Sequence, residues 1–210
     1  PSAAIPTTVG TSAERRRGGA YHGLVHYLDH AATTPLRPQA QVAMREQWQQ
    51  VGNPSSLHTA GRRARKVVEE SREQIADLIG AKPADIVFTS GGTEADNLGI
   101  KGIARSGDRR RILVSAVEHH AVLDPAEALA HEGFEVELLP VDHFGRVDVA
   151  QLAARLDADV ALVAVMWANN EVGSLQPIEE IVALLSEYDI PFHSDAVQAV
   201  GAVPVDFAAS

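Results

Sequence analysis

From Val160 to Val165 the chain is apolar at every position, a run too short to cross a membrane and too continuous to lie half in water. A strand of that composition must be covered on both faces, which helices on either side of a mostly parallel sheet accomplish. Other short runs rich in Val, Ile and Leu recur along the chain, separated by amphipathic segments of helical spacing. Strands are expected at Ile86–Thr89, Ile112–Ser115, Phe134–Leu139, Val160–Met166 and Ile190–His193, with Val160–Met166 central. Helices are expected at Pro38–Gln50, Gly61–Ile79, Thr93–Ala104, Val122–His131, Val149–Leu156 and Ile178–Tyr188. The fold class is therefore α/β, a mostly parallel sheet flanked by helices. Residues 1–26 mix Ser, Thr, Gly and Pro with Arg15-Arg16-Arg17 and read as a disordered leader, leaving 27–210 to fold.

The net charge of -10 over 210 residues excludes most of the surface from nucleic acid or an anionic membrane, although a small acidic ligand can still be held locally. With no cysteine, neither a disulfide framework nor a thiolate zinc site can form among these residues. No stretch reaches the length of a membrane span and no signal-peptide core is visible, so cytoplasm is the expected compartment.

In open α/β sheets ligands collect at the carboxyl ends of the strands. The first expected strand runs into Ser90-Gly91-Gly92-Thr93-Glu94, where two glycines let the backbone approach an anion and a helix N-terminus supplies free N–H donors. The loop matches neither G-x-x-x-x-G-K-[ST] nor G-x-G-x-x-G, and suits a single phosphate better. It reads equally as a plain turn capped by Thr93. The second strand ends at Glu118-His119-His120, whose imidazoles can stack on a flat ring or move a proton near neutral pH, or simply face solvent. The fourth leads into Asn169-Asn170, amides that can donate to a ring hydroxyl or a carboxylate, or close an Asx turn. The fifth ends in His193-Ser194-Asp195-Ala196-Val197-Gln198. A carboxylate there is what a nitrogen heterocycle needs to stay protonated as an electron sink, and is also what a helix cap or turn uses. A phosphate cradle, an imidazole, an amide pair and a nitrogen-binding carboxylate together describe a pyridoxal 5′-phosphate pocket.

The blocks Leu28-Asp29-His30-Ala31-Ala32-Thr33-Thr34-Pro35, Gly52-Asn53-Pro54-Ser55-Ser56-Leu57-His58, Thr89 to Glu94, Glu118 to Leu123, Asn169-Asn170-Glu171-Val172-Gly173 and His193 to Gln198 stand in this order. In this order they resemble the successive blocks of the cysteine desulfurases, class V enzymes that depend on pyridoxal phosphate. The resemblance runs from about Tyr27 to Ser210. It implies the large domain of a fold-type I transferase, incomplete at its C-terminus, with the rest of that domain and a small domain lying beyond. By this resemblance Gly92 and Thr93 hold the cofactor phosphate, and His119 lies over the ring and assists proton transfer. Asn170 reaches the ring hydroxyl side and the substrate carboxylate, Asp195 pairs with the ring nitrogen, and Gln198 bonds the ring oxygen. The activity implied is removal of sulfur from L-cysteine, giving L-alanine and an enzyme persulfide for iron–sulfur cluster assembly or thiolation. A homodimer and a scaffold or other sulfur-acceptor protein are the partners implied. A selenocysteine lyase, a related class V enzyme, or a non-catalytic dimerisation or scaffold module are the competing readings.

The resemblance also implies a cofactor-bearing lysine shortly after Ser210, and a persulfide cysteine and a substrate-binding arginine later still. Lys66, Lys82 and Lys101 read as solvated. The 210 residues alone are thus expected to be inactive, with the fold completed by a longer chain or by a second polypeptide. Outside these blocks, His22, His26 and His30 would align as metal ligands only on a helix, which Gly23 and the extended-looking Val25-His26-Tyr27-Leu28 argue against. Arg109-Arg110-Arg111 reads as a solvated loop or a docking patch for an acidic partner.

Overall fold

The computed structural model describes residues 26–208, which divide into a short N-terminal unit ending at Thr34 and a larger unit from Pro35. The expected leader, up to residue 25, and His22 lie outside the described residues. In the short unit Tyr27 donates its hydroxyl to the Asp29 carbonyl at 2.6 Å and meets the His30 ring edge-on. Among the described residues no group of three His, Cys, Asp or Glu side chains could hold a metal ion.

The larger unit opens with α1 (Pro38–Trp48), whose proline occupies the first turn where its missing N–H costs nothing. None of its residues is buried, and Val42, Met44 and Trp48 remain exposed. Next comes α2 (Thr59–Ile79), capped by the His58 ring, which accepts from the Gly61 N–H at 3.3 Å. It ends at Gly80 with φ 71°, the left-handed conformation that glycine adopts without a Cβ clash.

Four parallel strands follow in the spatial order β2-β1-β3-β4: β1 (Arg111–Ser115), β2 (Glu135–Leu139), β3 (Val160–Ala164) and β4 (Phe192–His193). They alternate with α3 (Gly92–Ala104), α4 (His120–Ala130), α5 (Val149–Ala153) and α6 (Ile178–Ser186). The all-apolar run is central, as its composition demands: every residue of β3 is buried. Side chains alternate across the sheet. Ile112, Val114, Leu162 and Ala164 join Ile100 of α3 and Val122 of α4 in one core. Leu113, Val163 and Val165 join Leu152 of α5 and Ile181 of α6 in the other. A bulge between Arg111 and Ile112 skips Ala161 in the pairing and brings Val160 onto the same side as Val163. Among the described residues no helix is long and apolar enough to cross a membrane.

Two expectations need correction. Ile86–Thr89 is extended but belongs to no strand, because a strand exists only with a hydrogen-bonded neighbour and this segment has none in the sheet. The Ile86 carbonyl is taken instead by the guanidinium of Arg72, which also lies 4.8 Å from the centre of the Phe88 ring. Arg111 is no part of a solvated run either. As the first residue of β1 it pairs with Glu137 at 2.8 Å and with Asp157, clamping β1 to β2 and to the approach to β3.

Candidate functional site

From β1 the chain crosses outward to β2 and then returns to the other side of β1 to form β3, so β1 and β3 flank the point where the strand order reverses. Crevices form there, outside the carboxyl ends of the strands. The loops after β1 and β3, together with the turn that follows β2, wall a pocket of about 590 Å3. Its lining includes His119, Asn170, Glu171, His143 and Phe144.

His119 enters the pocket because it is the N-cap of α4, placed one residue before the helix in extended backbone. Its Nδ1 accepts the Ala121 N–H at 3.0 Å, which puts the proton of the neutral ring on Nε2. The ring face stays open. His119 is exposed, and so is His120, which opens the first helical turn 3.3 Å from Asp124, in keeping with a surface histidine.

The two asparagines after β3 separate into different tasks. Asn169 is buried and fully employed, its amide donating to the Val117 carbonyl at 3.0 Å and its oxygen accepting from the N–H groups of Glu171 and Val172 at 2.9 Å each. It ties the β3 loop to the β1 loop. Asn170, half-buried, lines the pocket and is the member available to a ligand.

The helix after the glycine pair begins at Gly92, so Gly91 rather than Thr93 is the N-cap. Glu94 reaches back to accept the Ser90 N–H at 2.6 Å, a hydrogen bond that holds its carboxyl below the usual range. The first N–H groups of α3 face outward without helical partners. No heavy atom would come within 4 Å of a Cβ on Gly91, whereas one on Gly92 would meet Val197 Cγ2 at 3.1 Å. Gly92 therefore brings the phosphate-type turn against the segment that carries Asp195 and Gln198.

Asp195 lies past the formal end of β4, yet the pairing continues to it: the N–H groups of Val163, Val165 and Trp167 donate to the carbonyls of Pro191, His193 and Asp195 in turn. Its Oδ1 accepts the Val197 N–H at 2.9 Å, and Gln198, one residue further, is half-buried. Burial pushes the Asp195 carboxyl above its ordinary value, and the Val197 hydrogen bond opposes this. Asp96 raises it further, while His193 and His119 pull it down. Asp195, Gln198, Gly92 and Thr93 are not among the residues that line the pocket of His119 and Asn170.

Sequence spacing does not single out Glu118 or the pair Asp96 and His193. Glu118 accepts the Ser115 hydroxyl at 2.5 Å and the Met166 N–H at 2.6 Å through Oε1, while Oε2 is buried without a hydrogen-bond partner. Burial pushes its carboxyl up to about 7, against the two hydrogen bonds. Asp96 holds the His193 Nε2 at 3.1 Å in a pair where both side chains are largely buried. The available signal for Asp96 was its place four residues before Ile100 and eight before Ala104, a polar residue in the buried stripe of α3.

Pyridoxal phosphate fits this donor set. An open glycine turn at a helix N-terminus can accept one phosphate, a half-buried carboxylate suits a protonated ring nitrogen, and an exposed imidazole lines the pocket beside Asn170. None of the three lysines lines the pocket. Lys66 is exposed beside Glu70 and Lys101 bonds Asn97.

The model of the aminotransferase class-V family matches residues 26–210. The IscS-like cysteine desulfurase of Mycobacterium tuberculosis is 53% identical over 192 residues, covering 88% of this chain and 49% of that protein. Cysteine desulfurase IscS of Dictyoglomus turgidum is 51% identical over 183 residues, covering 86% and 46%. Among solved structures, SspA in complex with cysteine superposes with a TM-score of 0.84 at 35% identity, covering 88% of this chain and 54% of the other. The chain spans about half the length of the curated relatives it matches. With the family model matched along nearly the whole of the described chain, the protein belongs to the class-V aminotransferase family.

Proposed function

We propose that these residues form the cofactor-binding part of a cysteine desulfurase, an enzyme that takes sulfur from L-cysteine, leaves L-alanine and passes the sulfur to an acceptor for iron–sulfur cluster assembly or thiolation. Two observations carry the reading: His119 and Asn170 line one crevice at the carboxyl ends of β1 and β3, and the α3 N-terminus packs against the segment that carries Asp195 and Gln198. The names of the relatives and the cysteine bound to SspA support the substrate.

In this reading the N–H groups at Gly92 and Thr93 hold the phosphate and Asp195 holds the ring nitrogen. Gln198 bonds the ring oxygen. Bound pyridoxal phosphate supplies an electron sink that acidifies the hydrogen on the α-carbon of an attached amino acid. The chain's own residues then orient and move protons. His119, with its proton on Nε2, covers one ring face and exchanges a proton there, while Asn170 directs the substrate carboxylate. The reading includes a homodimer, which sedimentation of the whole protein tests.

Assays of the full-length protein for alanine and sulfide, with L-cysteine against L-selenocysteine, decide the substrate. Asp195→Ala is expected to lower kcat by roughly 10²–10³-fold, the loss typical of one electrostatic stabiliser. Near-normal turnover in that variant would remove Asp195 from the site.

A further inference from the structure

Behind Asp195 lies a buried group of ionisable side chains that ligand binding alone does not explain. His193 and Asp195 are both in the register that pairs with alternate residues of β3, so their side chains leave the sheet on the same face. From α3, Asp96 meets the His193 Nε2 at 3.1 Å with its second oxygen buried and without a hydrogen-bond partner. Gly99, one helical turn on, leaves room for this ring: a Cβ there would stand 3.0 Å from the His193 Nδ1. From the loop after β1, Glu118 and His119 complete the surroundings.

Three carboxyl groups thus act on one another around His193, with Asp96 and Glu118 buried and Asp195 half-buried. Like charges so placed cannot all ionise at ordinary cost, and a positive charge among them decides which one does. We propose that His193, anchored by Asp96, is a positioning residue that keeps Asp195 ionised against the ring nitrogen of the cofactor. The proposal rests on the cofactor reading above and extends it to a part of the protein that touches neither cofactor nor substrate. When protonated, His193 pulls the Asp195 carboxyl down, opposing both burial and the Asp96 charge. Glu118 holds a proton readily, so it leaves the negative charge to Asp195. Without an ionised Asp195 the ring carries less positive charge, and protons elsewhere on the bound cofactor are lost only at higher pH.

The test uses the full-length protein loaded with pyridoxal phosphate and follows the visible absorbance of the cofactor as a function of pH. His193→Gln keeps a hydrogen-bonding group for Asp96 but cannot take up a proton, and is expected to move the absorbance midpoint upward by about one pH unit, a tenfold change in proton affinity. Gly99→Ala presses on the ring edge without removing either partner, and is expected to move the midpoint in the same direction by less. It decides the matter if His193→Gln does not fold. A midpoint unchanged in the folded variants, with wild type binding the cofactor normally, overturns the role of His193 and leaves the cofactor reading intact. If wild type binds no pyridoxal phosphate, both fall.

Discussion

At the scale of single residues, the informative side chains are those whose burial disagrees with their charge. Glu118 sits at the end of β1 with one carboxyl oxygen doubly hydrogen-bonded and the other enclosed without a partner, and burial lifts it to about 7 from an ordinary 4.5. Between those two pH values the folded protein keeps a proton that the unfolded chain has lost. Stability therefore falls as pH rises from about 4.5 to about 7, by about 3 kcal/mol in all from this group. Glu118→Gln can keep both accepted hydrogen bonds while carrying no charge. It is expected to flatten this part of the pH profile and to be the more stable form at pH 8, as urea denaturation of the cofactor-free protein would show. A profile as steep as that of wild type would mean that Glu118 is ionised throughout. The burial of Glu118 could not be read from the sequence, because its partner Met166 lies 48 positions away. The same is true of Asp96 and His193, which are 97 apart. The sequence points to His119, Asn170 and Asp195 because each stands shortly after an apolar run, and in an α/β sheet that position is where sites form.

At the scale of elements, the loops after β1 and β3 act as one unit because Asn169 bridges them. Its side chain binds Val117 on one side and Glu171 and Val172 on the other, besides donating to the Met166 sulfur. Asn169→Ala leaves those backbone groups unsatisfied in a half-buried setting and is expected to cost about 1–3 kcal/mol. Because Asn170 is carried by the same loop, the variant should also raise KM for the amino-acid substrate more than it lowers kcat. Equal KM values would show that the loop keeps its shape without the bridge. The elements themselves were legible to the extent that each is defined by its own sequence. Among the described residues, apolar periodicity located the four strands of the sheet and the six α-helices, with ends shifted by a few residues. It failed at Ile86–Thr89, whose composition is that of a strand but whose state depends on a neighbour that composition does not describe. The capping of α4 by His119 escaped notice for a related reason, since histidine is seldom chosen as a cap and the hydrogen bond to Ala121 is visible only in the folded geometry.

At the scale of the whole molecule, the site residues come from separate segments of the chain carried on one sheet. The β1 and β3 loops line the pocket, the α3 N-terminus packs against the segment after β4, and Val42, Met44, Trp48, Val87 and Phe88 elsewhere remain exposed rather than adding to a core. A ligand that touches all four ends binds the folded form and not the unfolded one, so it stabilises by mass action. Pyridoxal phosphate at about a hundred times its dissociation constant is expected to add about 2.7 kcal/mol to unfolding of the cofactor-free protein. Inorganic phosphate, which engages only the α3 N-terminus, should stabilise far less at the same concentration. Asp195→Ala separates the two contributions, because it removes the ring's partner and leaves the phosphate turn untouched. In that variant the stabilisation by pyridoxal phosphate should shrink toward that given by phosphate, which thermal unfolding at matched ligand concentrations would measure. If pyridoxal phosphate and phosphate stabilise wild type equally, the protein holds an anion alone, and His119, Asn170 and Asp195 have no ring to hold.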